Sequence, residues 1–215
     1  MNSTLITGAI LAGGASRRLR QDKAALKLKG KPLALWVAEA LTPLVSELWL
    51  VSNQPLDHFA LGLPILTDLT PFQGPLGGLL TALFYARTTW VLAVAVDCPF
   101  VAPTLLSALA SRVHATSRPA VVCRSERGVE PLPGLFSVRL TPRLMEFLKS
   151  DHRLQLFLQR WRPEILPLDL VSSLDPQGQS FVNLNFPEDL AQAHRWLNSQ
   201  RDGLAAELPT LDFRP

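Results

Sequence analysis

Only two cysteines, Cys98 and Cys123, occur in 215 residues, and their spacing matches neither a metal-binding nor a redox motif. So few cysteines in a chain this long exclude a disulfide framework and fit a reducing compartment, so a cytoplasmic protein is expected. Both read as small buried hydrophobes. No apolar run approaches the roughly 20 residues that a membrane span needs. The first apolar stretch has no basic residue before it and ends in glycines and arginines, which makes it a poor signal peptide. No membrane partner is expected. His58, His114, His152 and His194 are dispersed without metal-ligand spacing, and the five tryptophans do not cluster with basic residues as a nucleic-acid stacking platform would require. Several phosphate and nucleophile motifs are missing too. Gly8 and Gly13 have P-loop spacing, but Gly14-Ala15 stands where Lys-Ser/Thr is needed. The dinucleotide fingerprint is absent, and no Gly-x-Ser-x-Gly elbow surrounds Ser16.

What is present is a globular composition, 47% hydrophobic and 18% charged, with no internal repeat or low-complexity linker. Its formal net charge of +3 is unevenly placed. Residues 17–31 hold seven cations (Arg17, Arg18, Arg20, Lys23, Lys27, Lys29, Lys31) against Asp22, a local +6 that leaves −3 elsewhere. One basic patch on a mildly acidic body suits a small anionic ligand better than a nucleic-acid track. This patch follows Leu5 to Leu11, read as a buried strand, and the turn Ala12-Gly13-Gly14. Glycines without Cβ atoms let backbone N–H groups approach an anion. Arginine forks and the Lys23 ammonium supply the charge. An ordinary strand-to-helix turn with exposed cations has the same local sequence.

Further strands are predicted at residues 47–52, 64–67, 90–96, 120–123, 134–138 and 181–185. Helices are predicted at 33–44, 76–86, 103–109, 141–149, 153–161 and 187–197. Trp90 to Val96 is seven consecutive apolar residues, the pattern of a strand buried on both faces in a parallel sheet. Alternation of strands and helices predicts a doubly wound α/β domain over residues 1–198, with 199–215 as a tail. In such sheets, ligands bind beyond the strands' carboxyl ends. The residues that follow four of these strands are Ala12-Gly13-Gly14, Asn53, Asp68 and Asp97, which would share one rim. A carboxylate closing an apolar strand, as Asp97 does, suits a hard cation such as Mg²⁺ shared with substrate phosphates. It equally suits a helix N-cap. Asp68 and Asn53 are also common turn residues.

The segment Leu11-Ala-Gly-Gly-Ala-Ser-Arg-Arg-Leu-Arg-Gln-Asp-Lys23 resembles the signature of the molybdenum cofactor guanylyltransferase family. Gly30-Lys-Pro32, Gly74-Pro-Leu-x-Gly78, Asp97-Cys-Pro99, Glu130-Pro131 and Phe181 to Leu190 resemble further segments of that family in the same order. Four departures stand out: Arg20 replaces a glycine, Leu19 replaces methionine, Leu132 stands where threonine is common, and Phe186 replaces threonine. The resemblance implies a GT-A-like or Rossmann-like nucleotidyltransferase fold, a mostly parallel sheet flanked by helices. It also implies Mg²⁺ as cofactor and GTP and Mo-molybdopterin as substrates, with molybdoenzymes or molybdopterin-inserting proteins as candidate partners.

By matched position, Leu11, Ala12 and Gly13 would contact the guanosine, Gly14 would admit phosphates, and Lys23 would bind them. Asn53 and Asp68 would help hold the nucleotide, and Asp97 would bind the metal. Lys23, Arg17 and Asp97 are the expected catalytic set. The expected reaction is in-line attack of the molybdopterin phosphate on the α-phosphate of GTP. A cytidylyl- or sugar-phosphate nucleotidyltransferase on the same scaffold, and a non-catalytic GTP-binding regulatory module, are the competing readings.

Overall fold

The computed structural model describes residues 6–12, 23–71 and 73–201. Its elements run β1 (Ile6–Leu11), β2 (Lys27–Leu28), β3 (Lys31–Pro32), α1 (Leu33–Leu41), β4 (Glu47–Val51), α2 (Pro55–His58), β5 (Ile65–Leu66), α3 (Gly74–Tyr85) and β6 (Trp90–Ala95). They continue with α4 (Pro103–Ser111), β7 (Ala120–Ser125), β8 (Gly128–Ser137), α5 (Thr141–Phe147), α6 (Leu154–Trp161), β9 (Glu164–Leu166), α7 (Leu168–Leu174) and α8 (Pro187–Arg201).

Seven strands form one sheet in the order β5-β4-β1-β6-β8-β7-β9. The first four are mutually parallel, β8 runs antiparallel to both β6 and β7, and β9 pairs parallel with β7. The sheet is mostly parallel and flanked by helices, as expected. Its register follows from the pleat, which turns successive side chains to opposite faces. Ile6 and Ile10 of β1, with Leu92 and Val94 of β6, face a core built with Val37, Leu41, Leu105 and Leu109 of α1 and α4. Ala9 and Leu11, with Val91 and Ala93, face the opposite core of Leu76, Leu79, Leu144 and Phe157 from α3, α5 and α6. Burial on both faces is why β6 is apolar throughout and why the one polar side chain of β1, Thr7, is buried with its hydroxyl bonded to Glu47 Oε1 at 2.7 Å. Each fully buried aliphatic side chain contributes roughly 1.5–3 kcal/mol. Gly8 marks a tight crossing: a Cβ there would lie 2.7 Å from Leu48 Cδ1.

A third, smaller core joins the two ends of the chain. Leu28 and Leu33 pack with Val182, Leu184 and Ala193, with Trp36, Phe100 and Leu197 around them. Phe100 stacks edge-on between Trp36 and Trp196, at centroid distances of 6.5 and 4.8 Å. β2 and β3 form the hairpin beside this core. Lys29 and Gly30 take φ of 53° and 81° at its two central positions, the positive-φ pair of a two-residue turn.

Several expectations need correction. Residues 182–185 form no strand: they follow a short 3₁₀ turn (Gln179–Phe181) and run extended outside the sheet. Their alternation is nevertheless physical, since Val182 and Leu184 bury in the third core while Asn183 and Asn185 point the other way. The closing helix continues to Arg201, past the expected end at residue 197. β9, α2 and α7 were not expected. β8 is longer than expected because it includes Pro131 and Pro133, at a break in the β7–β8 register where no ladder N–H is required.

Candidate active site

Consecutive parallel strands β5, β4, β1 and β6 end on one rim, and each delivers one predicted residue: Asp68, Asn53, Ala12 and Asp97. Ala12 continues the ladder, its N–H donating to Val51 O at 2.9 Å. Leu11 is buried beneath it. Gly13, Gly14 and Arg17 lie outside the described residues, and so do Arg18 and Arg20.

Asp97 sits two residues beyond β6. It is not a helix cap, because α4 begins at Pro103 with Ala102 as its N-cap. Its carboxylate instead receives the Lys23 ammonium at 2.7 Å, and both side chains keep roughly a fifth of their surface exposed, at 18% and 20%. Lys23 Nζ also donates to Asn185 Oδ1 at 2.6 Å. One ammonium therefore bridges a carboxylate and an amide oxygen from distant parts of the chain. The backbones of both residues are anchored independently of the lysine. Leu184 N–H donates to the Asp97 carbonyl at 2.8 Å, and Asn185 N–H donates to Asp189 Oδ2 at 2.7 Å. Asp189 also accepts from Phe186 N–H at 2.8 Å, closing the first turn of α8 as an acidic N3 residue does in a capping box. Cys98 is buried, as expected, and its thiol donates to Asn183 Oδ1. Burial, reinforced by the neighbouring Asp97 carboxylate, pushes that thiol well above its ordinary value, so it stays protonated as a donor.

At the other end of the rim Asn53 Nδ2 donates to Asp68 Oδ2 at 2.7 Å. Asn53 Oδ1 and Asp68 Oδ1 are buried and have no hydrogen-bond partner among the described residues; Gln73 Oε1, just before α3, is a third such acceptor. Gly78 leaves the space beside Asp68 open, for a Cβ there would stand 3.7 Å from Oδ1. Burial raises the Asp68 pKa, and the hydrogen bonds from Asn53 and Thr81 offset this only in part. A carboxyl whose folded pKa is raised favours folding fully below its unfolded value near 3.8 and loses that contribution as pH rises through the folded value. Asp68→Asn, uncharged throughout, is therefore expected to raise the melting temperature at pH 7, with the gain shrinking as pH falls toward 4. Melting curves across that range check this, and an unchanged difference would refute it.

A protein-family model described as the MobA-like NTP transferase domain matches residues 8–165. Two relatives named molybdenum cofactor guanylyltransferase align over nearly their whole length. The Cereibacter sphaeroides protein is 38% identical over 194 residues, 88% of this chain and 96% of its own. The Serratia proteamaculans protein is 35% identical over 206 residues, 94% of this chain and 98% of its own. The chain belongs to the molybdenum cofactor guanylyltransferase family. It is a nucleotidyltransferase. Among solved structures, one titled molybdopterin-guanine dinucleotide biosynthesis protein A from Archaeoglobus fulgidus superimposes with a TM-score of 0.76. It is 24% identical and covers 90% of this chain and 99% of its own, so it shares the fold. Another, titled 4-diphosphocytidyl-2C-methyl-D-erythritol synthase, from Anaerococcus prevotii, shares it with a TM-score of 0.69 at 12% identity, covering 92% of this chain and 97% of its own.

Within this guanylyltransferase-family site, sequence reasoning missed Asn183 and Asn185. The family segment Phe181 to Leu190 was recognisable, but no chemistry attached to its asparagines. The available signal was the Val-Asn-Leu-Asn alternation, which places two amides opposite a buried face. Among the described residues no helix is long and apolar enough to cross a membrane.

Proposed function

We propose that the chain transfers GMP from GTP to the terminal phosphate of Mo-molybdopterin, releasing pyrophosphate, with residues 1–198 as one catalytic domain acting in the cytoplasm. The observation that carries the guanine donor is a pair of buried acceptors, Asn53 Oδ1 and Asp68 Oδ1, that have no partner among the described residues. Unpaired buried acceptors are costly and call for N–H donors. Guanine presents adjacent N1–H and N2–H₂ donors, whereas cytosine and adenine each offer a single exocyclic amine. Asp68 and Asp97 end strands three positions apart in the sheet, about 14 Å at the usual strand spacing. That span accommodates a nucleotide with its base at Asn53 and Asp68 and its phosphates at Lys23 and Asp97.

Asp97 Oδ2 and Asn185 Oδ1 already converge on a cation, the Lys23 ammonium, so the donor set fits a hard divalent ion such as Mg²⁺. When bound there with the substrate phosphates, that ion supplies Lewis-acid neutralisation of phosphate charge. The protein's own residues do the rest. By matched family position, Leu11, Ala12 and Gly13 would contact the guanosine and Gly14 would admit the phosphates. Lys23 and Arg17 orient the triphosphate and stabilise charge that builds on the α-phosphate and the leaving pyrophosphate. The attacking phosphate oxygen is already anionic, so positioning and electrostatics suffice without a general base.

Calorimetric titration of GTP, CTP, ATP and UTP in the presence of Mg²⁺ tests the donor. GTP is expected to bind about tenfold or more tighter than the others, worth roughly 1.4 kcal/mol. Equal or tighter CTP binding overturns the guanine assignment. Tight GTP binding without pyrophosphate release on adding molybdopterin overturns transfer itself in favour of a regulatory module.

A further inference from the structure

Lys23 Nζ lies 2.7 Å from Asp97 Oδ2 and 2.6 Å from Asn185 Oδ1, a cation between two oxygens whose backbones are tied down elsewhere. We propose that Lys23 is the resident cation of a two-oxygen seat completed by Asn185, and that a divalent ion takes this seat only as nucleotide phosphates draw the ammonium away. The inference rests on the reading of Asp97 as the metal carboxylate and goes beyond it in two ways. It assigns Asn185 to the seat, and it makes metal entry conditional on nucleotide.

Lysine carries three donors and no acceptor, so the side-chain atom of Asn185 that meets it is the oxygen. That amide is thereby aimed at a cation before any substrate arrives. The backbones that carry the two oxygens are fixed without the lysine. Asp97 is held through its carbonyl by Leu184 N–H, and the Asn185 backbone is held by Asp189. Val182 and Leu184, on either side of Asn183, are buried in the third core. The lysine, by contrast, reaches the seat only through its ammonium, at the end of a flexible four-carbon stem.

Charge decides the order of events. A half-sheltered Asp97 without a counter-charge is unfavourable, and the ammonium removes that penalty in the free protein. An ammonium and a divalent ion cannot share oxygens at this range, because like charges so close repel strongly. A triphosphate offers the ammonium a richer anion and brings its own metal. The exchange leaves every charge paired: Lys23 with phosphate, the ion with Asp97, Asn185 and phosphate. The ion then enters with the nucleotide rather than ahead of it.

The test is titration of the full chain with Mn²⁺, free ion being read by paramagnetic resonance, with no nucleotide present. The unaltered protein is expected to bind Mn²⁺ weakly, and Lys23→Met to bind it at least tenfold tighter. Lys23→Gln should shift in the same direction, which guards against a folding defect peculiar to one variant. In the Lys23→Met background, Asn185→Ala is expected to lower Mn²⁺ affinity at least fivefold. Unchanged affinity in both Lys23 variants overturns the exchange, and unchanged affinity on adding Asn185→Ala overturns that residue's place in the seat. Asp97→Asn separates these failures from failure of the underlying reading. If it removes Mn²⁺ binding while the lysine variants change nothing, only the exchange falls. If it changes nothing in either background, the metal assignment of Asp97 falls as well.

Discussion

Asp97→Asn is expected to slow guanylyl transfer by about 10³-fold, roughly 4 kcal/mol of transition-state stabilisation, with the fold intact. The substitution is isosteric. The Asp97 backbone carbonyl keeps its bond from Leu184 N–H, and an amide oxygen can still accept from Lys23. What disappears is one negative charge at the end of a buried parallel strand, where the proposed cation must be held while phosphate charge is redistributed. Steady-state pyrophosphate release measures the loss, and circular dichroism with thermal melting shows that structure survives. Turnover within tenfold of the unaltered enzyme would remove Asp97 from the mechanism.

Lys23→Ala is expected to lower kcat/KM by about 10²–10³-fold, with only about tenfold of that in GTP affinity. The division follows from the proposed role. Ground-state contact with the triphosphate accounts for the binding part, and charge accumulating on the departing pyrophosphate accounts for the remainder. Removing the side chain also strips Asp97 of its ion-pair partner and Asn185 Oδ1 of its donor. Single-turnover kinetics at saturating GTP separate the two contributions. Unchanged kinetics would make the basic segment a solvated turn and no more.

The rim of the site was legible because the second halves of β1 and β6 are apolar, and Ala12 and Asp97 follow them within two residues. A both-faces-buried strand has no other place to keep a charged group. Asp68 was legible for a weaker reason, since β5 has only two residues and the turn chemistry around Pro71 marks its end more clearly than the strand itself. The antiparallel side of the sheet was read less well. Pro131 and Pro133 argue against a strand by composition, yet the broken β7–β8 register lets them sit where no donor is missed. β9 is three residues long and follows Arg162, whose positive φ of 47° ends α6 without a glycine to announce it. Val182 to Asn185 shows a strand's alternation for a different cause: its apolar residues fill a satellite core beside the sheet instead of joining it. The alternation showed that Asn185 faces away from a buried side but not what it meets, because its contact with Lys23 spans 162 residues.

That separation has a consequence for how the enzyme comes into being. The amino-terminal half can lay down β1, β4 and β6 as it leaves the ribosome, yet the Lys23 ammonium finds its amide partner only after residue 185 has emerged. The satellite core that docks α8 beside Trp36 and Phe100 must close after that. A chain interrupted between Leu166 and Asn185 would hold every strand of the sheet but lack the amide half of the cation seat. Competence therefore arrives last in synthesis.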